Sequence, residues 1–139
     1  GIDRKVLGGM VFGKPEALQQ LTDIVWPEIR LLAAAQTQSL LKDDPNAIVI
    51  LEAAVLFEAG WEDIGDATWV VMAEPEVAIM RAMARDGLTR EAIEKRLSSQ
   101  LSNADRAARA DLVIENNTLE ADFLAALDAA WLGIAPVKD

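Results

Sequence analysis

The chain has 139 residues, 52% of them apolar and 26% charged, a composition that suits one folded domain with one core and not a disordered segment. Thirteen basic residues against twenty-three acidic ones leave a net charge of −10 at pH 7, a field that works against nucleic acid or an anionic membrane as partner. With neither cysteine nor histidine present, disulfides, thiolate metal sites, cysteine nucleophiles and Ser-His-Asp arrangements are excluded. Chemistry must then run on carboxylates, arginines, lysines and backbone amides. No apolar run approaches the ~20 residues of a membrane-spanning helix and no signal peptide is visible, so a soluble cytoplasmic protein is expected. An opening glycine in place of methionine suggests a truncated or processed sequence.

Gly8 to Pro15 offers glycines and Lys14 and reads as a turn. Residues 15–42 read as helix, because Pro15 suits a first helical position and Leu18, Leu21 and Val25 follow at helical spacing. Trp26-Pro27 should break it, since the residue before a proline avoids the α region. A second helix then carries Ile29, Leu32, Ala33 and Leu40 on one side. Residues 43–46 form a turn. Residues 47–51 are a short β-branched apolar run, read as a buried parallel strand, and residues 67–73 are a second. Between them lies a loop or short helix from Glu52 to Trp61. Pro75 starts a helix to about Arg85, which Asp86-Gly87 ends. Thr89 can cap another helix with Ile93, Leu97 and Leu101 on one face. Residues 111–115 read as a third strand. Asn117 with Glu120 resembles a capping box before a final helix marked by Leu119, Phe123, Leu124, Leu127 and Trp131. Strands separated by helices imply an α/β fold with a parallel sheet, whose ligands bind at the carboxyl ends of the strands. Glu52, Glu74 and Asn116 stand at those ends. The four tryptophans and the methionines Met72, Met80 and Met83 read as packing.

Two groups of residues can carry chemistry. Glu52 after the first strand is placed to organise a magnesium ion in a phosphate-handling fold, or is an exposed strand-end carboxylate. The segment with Arg81, Arg85, Arg90 and Arg96 is rich in guanidinium groups, which bind phosphate bidentately. Arg81 and Arg85 are four apart and share a helix face. The other reading of this segment is a solvated helix pair whose arginines bridge Glu76, Glu91 or Glu94.

The same residues resemble a known family. Ile2-Asp3-Arg4-Lys5-Val6-Leu7-Gly8 with Val11-Phe12 is similar to the "DRK-x-L-x-x-x-VF" segment of dephospho-CoA kinases. Residues 21–27 resemble the helix break that follows it. Residues 52–61 (EAAVLFEAGW) resemble the family's acidic residue and LLFE loop, in a form closest to the kinase domain of animal bifunctional CoA synthases. Arg85-Asp86-Gly87-Leu88-Thr89 with Arg96-Leu97-Ser98-Ser99-Gln100 resembles the lid, and Ala110-Asp111-Leu112-Val113-Ile114-Glu115-Asn116 resembles the "ADxVIxN" strand.

The resemblance implies a P-loop-kinase-like three-layer fold that transfers the γ-phosphate of ATP to the ribose 3′-hydroxyl of dephospho-CoA. It implies Arg4, Leu56, Phe57 and Glu58 on the substrate side, and Arg81, Arg85 and Arg96 in the lid, with Arg96 as the foremost phosphate contact. Asn116 would lie by the adenine, and ATP and magnesium would be the cofactors. It also implies one partial kinase domain over 1–139: a helical substrate-side region (1–46), a strand-helix core (47–85), lid-like helices (86–110) and a last strand and helix (111–139). The family's phosphate loop, G-x-x-x-x-G-K-S/T after a strand, is not matched. Gly13-Lys14 is followed by Pro15, where a hydroxyl for magnesium is needed. Trp26 stands where bacterial members commonly carry histidine, and Glu52 where aspartate is usual. The sheet is therefore expected to be incomplete, lacking a central strand between 47–51 and 67–73, and the isolated chain to be unstable, to self-associate through exposed edges and to be inactive. The alternative is a non-catalytic CoA- or partner-binding remnant of the fold.

Overall fold

The structure, a computed structural model, describes residues 1–11, 13–98 and 100–134, with only the backbone at Lys5. Expectations that fall on Phe12, Ser99 and residues 135–139 lie outside the described residues. In chain order the elements are helices α1 (Arg4–Val11) and α2 (Pro15–Asp43), a single 3-10 turn (Glu62–Ile64), strand β1 (Trp69–Met72), helices α3 (Pro75–Asp86), α4 (Arg90–Ser98) and α5 (Asn103–Arg109), strand β2 (Leu112–Glu115) and helix α6 (Glu120–Leu132). They fall into two compact units, Gly1–Ile64 and Gly65–Asp139. Among the described residues no helix is long and apolar enough to cross a membrane.

In the first unit, α1 packs on α2 and Val11, Phe57 and Trp61 are buried. Gly8 and Gly9 lie inside α1, so the turn expected from residue 8 is confined to the residues after Val11. There Gly13 has φ +79°, and Lys14 N donates to Val11 O at 3.1 Å. The break expected at Trp26-Pro27 is absent: α2 runs 29 residues with Pro27 inside it. Proline removes only the amide that would bond the Asp23 carbonyl, and the intact turns on either side carry that local defect. Residues 47–51 are not a strand. A buried strand needs a ladder partner and cover on its faces, and among the described residues the sheet holds β1 and β2 alone, leaving Ile48, Ile50 and Leu51 exposed.

In the second unit, β1 and β2 pair in parallel, Trp69 opposite Leu112 through Met72 opposite Glu115. Paired residues share a face and successive residues alternate. Val70 and Ile114, on adjacent rungs, therefore bury on opposite faces. A two-sided core is what an α/β sheet requires, and here α5 lies against β1 and α6 against β2. Between the strands, α3 and α4 pack on each other, with Ile79 and Ile93 buried. Gly87 ends α3 in the left-handed conformation, its N–H on Met83 O, as Asp86-Gly87 predicts. Thr89 Oγ1 accepts from Ala92 N at 3.3 Å at the start of α4; Leu101 lies beyond the helix's end at Ser98. The capping box at Asn117 is not formed: the residue before α6 is Leu119, with no side-chain cap. Asn117 Oδ1 instead accepts from Glu74 N at 2.6 Å, because the amide at the exit of β1 needs an acceptor.

Candidate functional site

The carboxyl end of the parallel pair is knit by side-chain amides and one guanidinium. Asn116 N continues the ladder to Met72 O at 2.7 Å. Asn117 takes Glu74 N, and Asn103 Nδ2 donates to Ala73 O at 2.9 Å. Arg81 on α3 reaches the residues after β2, where NH1 donates to Asn116 O at 2.6 Å and Asn116 Oδ1 at 3.1 Å, and NH2 to Thr118 O at 3.1 Å. Two of the strand-end positions singled out in the sequence, Glu74 and Asn116, thus meet in one site.

Arg85, one helical turn after Arg81, goes elsewhere. Its Nε and NH2 grip both oxygens of Asp86 at 2.6 and 3.0 Å. Arg96 NH1 approaches the same carboxylate at 3.9 Å. Arg85 and Arg96 therefore converge on Asp86, whose carboxyl is held below its usual range, first by the Arg85 hydrogen bonds and further by the charge of Arg96. Both guanidiniums remain largely exposed, at 77% and 65%. Arg90 bridges Glu76 and Glu94, with NH2 2.6 Å from Glu76 and NH1 3.0 Å from Glu94. That is the bridging arrangement the sequence offered as the alternative, formed here by Arg90. Asp86 as the meeting point of two arginines was not foreseen. In the sequence it signals only the end of α3, and its one hint is the charge opposite to its neighbour Arg85.

The remaining candidates lie in the first unit. Arg4 opens α1 and is exposed. Glu52 is exposed in a stretch without regular structure. Phe57 is buried, Leu56 half-buried and Glu58 exposed, on a turn closed by Ala59 N to Val55 O at 2.9 Å and Trp61 N to Leu56 O at 2.9 Å. That turn is seated on α2: Trp61 meets Trp26 edge to face at 6.2 Å, and Arg30 binds Asp63 through two bonds of 2.8 and 2.7 Å. Trp26, Arg30 and Trp61, with Thr22, Asp23, Pro27 and Ala59, line a cavity of about 330 Å³. Among the described residues no three acidic side chains gather into a metal cage.

The Arg30–Asp63 pair carries a pH dependence. Arg30's hydrogen bonds lower the Asp63 pKa in the folded chain. The unfolded chain therefore binds the proton first as pH falls. The pair's contribution is complete above about pH 4 and is lost as pH drops through the depressed folded value. In a carboxyl ¹³C NMR titration, Arg30→Gln is expected to return the Asp63 midpoint upward toward about 3.9. A midpoint that does not move would mean that the pair is absent in solution.

The dephospho-CoA kinase family model matches residues 1–122. The dephospho-CoA kinase of Geobacter sulfurreducens is 38% identical over 130 residues, covering 94% of this chain and 66% of its relative. That of Moorella thermoacetica is 40% identical over 131 residues, covering 94% and 61%. Among solved structures, TT1252 from Thermus thermophilus matches with a TM-score of 0.75 at 36% identity, over 95% of this chain and 67% of that one. The dephospho-CoA kinase from Campylobacter jejuni matches with a TM-score of 0.69 at 34% identity, over 96% and 66%. The chain thus spans about three-fifths to two-thirds of the length of the relatives it matches.

Proposed function

This chain belongs to the dephospho-CoA kinase family, and from that premise we propose that it forms the substrate-side and lid portion of an enzyme that moves the γ-phosphoryl group of ATP to the ribose 3′-hydroxyl of dephospho-CoA. The observation that carries the reading is the convergence of Arg85 and Arg96 on one carboxylate within the span matched by the family. Phosphoryl transfer needs little covalent help from the protein and much charge neutralisation. A phosphate with three oxygens competes with Asp86 for both guanidiniums.

In this reading Arg4, Leu56, Phe57 and Glu58 serve the CoA side and Asn116 the adenine. Glu52 would be the carboxylate offered to magnesium, an ion that binds through one or two carboxylates together with substrate phosphates and water. Magnesium, when bound, would neutralise the phosphate oxygens. The 139 residues contain no G-x-x-x-x-G-K-S/T, so the phosphate loop and the attacking-hydroxyl base come from residues outside this span, which is a partial kinase domain with an incomplete sheet. Exposed Ile24, Leu31, Leu32 and Ile50 in one unit and Val71 and Met80 in the other support a body that further chain, or a second copy, covers. A cytoplasmic setting, with no nucleic acid or membrane partner, belongs to the same reading.

Two arms test it, with coenzyme A formation from ATP and dephospho-CoA followed by mass spectrometry. A chain extended to include a phosphate loop is expected to turn over, and the 139 residues alone are not. No product from the extended chain would sink the assignment. Product from the 139 residues alone would sink the division of labour.

A further inference from the structure

Arg81 sits on the same helix as Arg85 but is occupied differently. NH1 donates to two Asn116 oxygens and NH2 to Thr118 O. A guanidinium offers donors only, so the side-chain atom of Asn116 that faces it must be oxygen. That orients the amide: Oδ1 is turned to Arg81 and Nδ2 is turned away. The backbone on either side is held too, by Asn116 N on Met72 O and by the Arg81 bonds to the Asn116 and Thr118 carbonyls. Among the described residues no acceptor meets Asn116 Nδ2, and no buried side-chain polar atom lacks a partner, so the Nδ2 hydrogens face accessible space. They do so at the carboxyl end of β2, where parallel sheets present their ligands.

We propose that Arg81 is a positioning residue that holds the Asn116 amide with its NH2 outward, as a hydrogen-bond donor to a ring nitrogen of an adenine. The inference rests on the kinase reading above, in which both ATP and dephospho-CoA bring an adenine. Ring nitrogens of adenine accept, and an amide NH2 donates. Were the amide free to turn, its oxygen would face those lone pairs half the time. Arg81 removes that alternative, and it contacts no reacting atom itself.

The test uses the phosphate-loop-containing enzyme. Asn116→Asp keeps an oxygen for Arg81 and strengthens that contact, while it replaces the donor by a second acceptor. Its Tm is expected to be unchanged or higher, with KM for one adenine-bearing substrate raised about 10-fold and kcat within about threefold. Whether the rise is in KM for ATP or for dephospho-CoA identifies which adenine is read. Arg81→Met is expected to raise the same KM about 5- to 10-fold. Adding it to Asn116→Asp should cost less than about twofold more, because the two residues act as one unit. Unchanged KM values for both substrates in Asn116→Asp would overturn the proposal. So would additive losses, or an Arg81→Met variant with kcat down 100-fold at constant KM, which would make Arg81 a direct contact of the moving phosphate. If the unmodified enzyme makes no coenzyme A, the kinase reading fails by itself. Calorimetric titration of the same variants with ATP and with dephospho-CoA then still tests the amide, weaker binding upholding the proposal and unchanged binding overturning it.

Discussion

Arg96→Ala in the phosphate-loop-containing enzyme is expected to lower kcat by about 10²- to 10³-fold, with little change in substrate KM or in Tm. The side chain is 65% exposed, and an exposed charge contributes little to the folded state, so its removal costs little there. In the transition state the same guanidinium would meet charge spreading over phosphate oxygens, in a site from which water is largely excluded, and there it is worth far more. Arg96→Lys keeps the charge and loses the planar fork, so its rate is expected to fall between the two. Arg85→Ala should show a smaller loss together with a rise in the depressed Asp86 pKa, because Arg85 is the main cause of that depression. A kcat for Arg96→Ala within twofold of the unmodified enzyme would remove this residue from the chemistry.

Ile114→Ala is expected to destabilise the second unit by about 2–5 kcal/mol. Ile114 is 4% exposed on β2, on the rung opposite Val71 of β1, which is 54% exposed. The two share a face of the sheet, and only Ile114 is covered. Truncating it leaves a cavity as well as losing transfer free energy, whereas Val71→Ala should change stability by no more than about 0.5 kcal/mol. Urea unfolding of both variants separates the two positions. Equal midpoint shifts would mean that the covering of Ile114 does not persist in solution.

Much of the second unit was legible before any coordinates. The apolar runs at β1 and β2 announce strands because β-branched residues suit a two-sided sheet. Pro75 and Gly87 bracket α3 because proline tolerates the first turn and glycine the left-handed exit. Residues 47–51 show the same apolar run and form no strand, since a strand is a pairing and not a property of one segment. Pro27 likewise carries the local signature of a helix break, and whether the flanking turns hold it is decided by what surrounds them.

The residue inventory determined that no cysteine or histidine chemistry runs within these 139 residues, and the order of its short motifs pointed to the family, since both are properties of the chain read end to end. The partners of the arginines were a different matter. Arg81, Arg85 and Arg90 look alike in sequence, yet one grips carbonyls 35 and 37 residues away, one its neighbour's carboxylate and one two glutamates. Side-chain direction on a helix places a guanidinium, but only the packing of α3 against α4 and its approach to the residues after β2 determine which acceptor it finds. That choice is made by contacts far apart along the chain, so only the tertiary structure separates the arginine held on backbone carbonyls from those held on carboxylates.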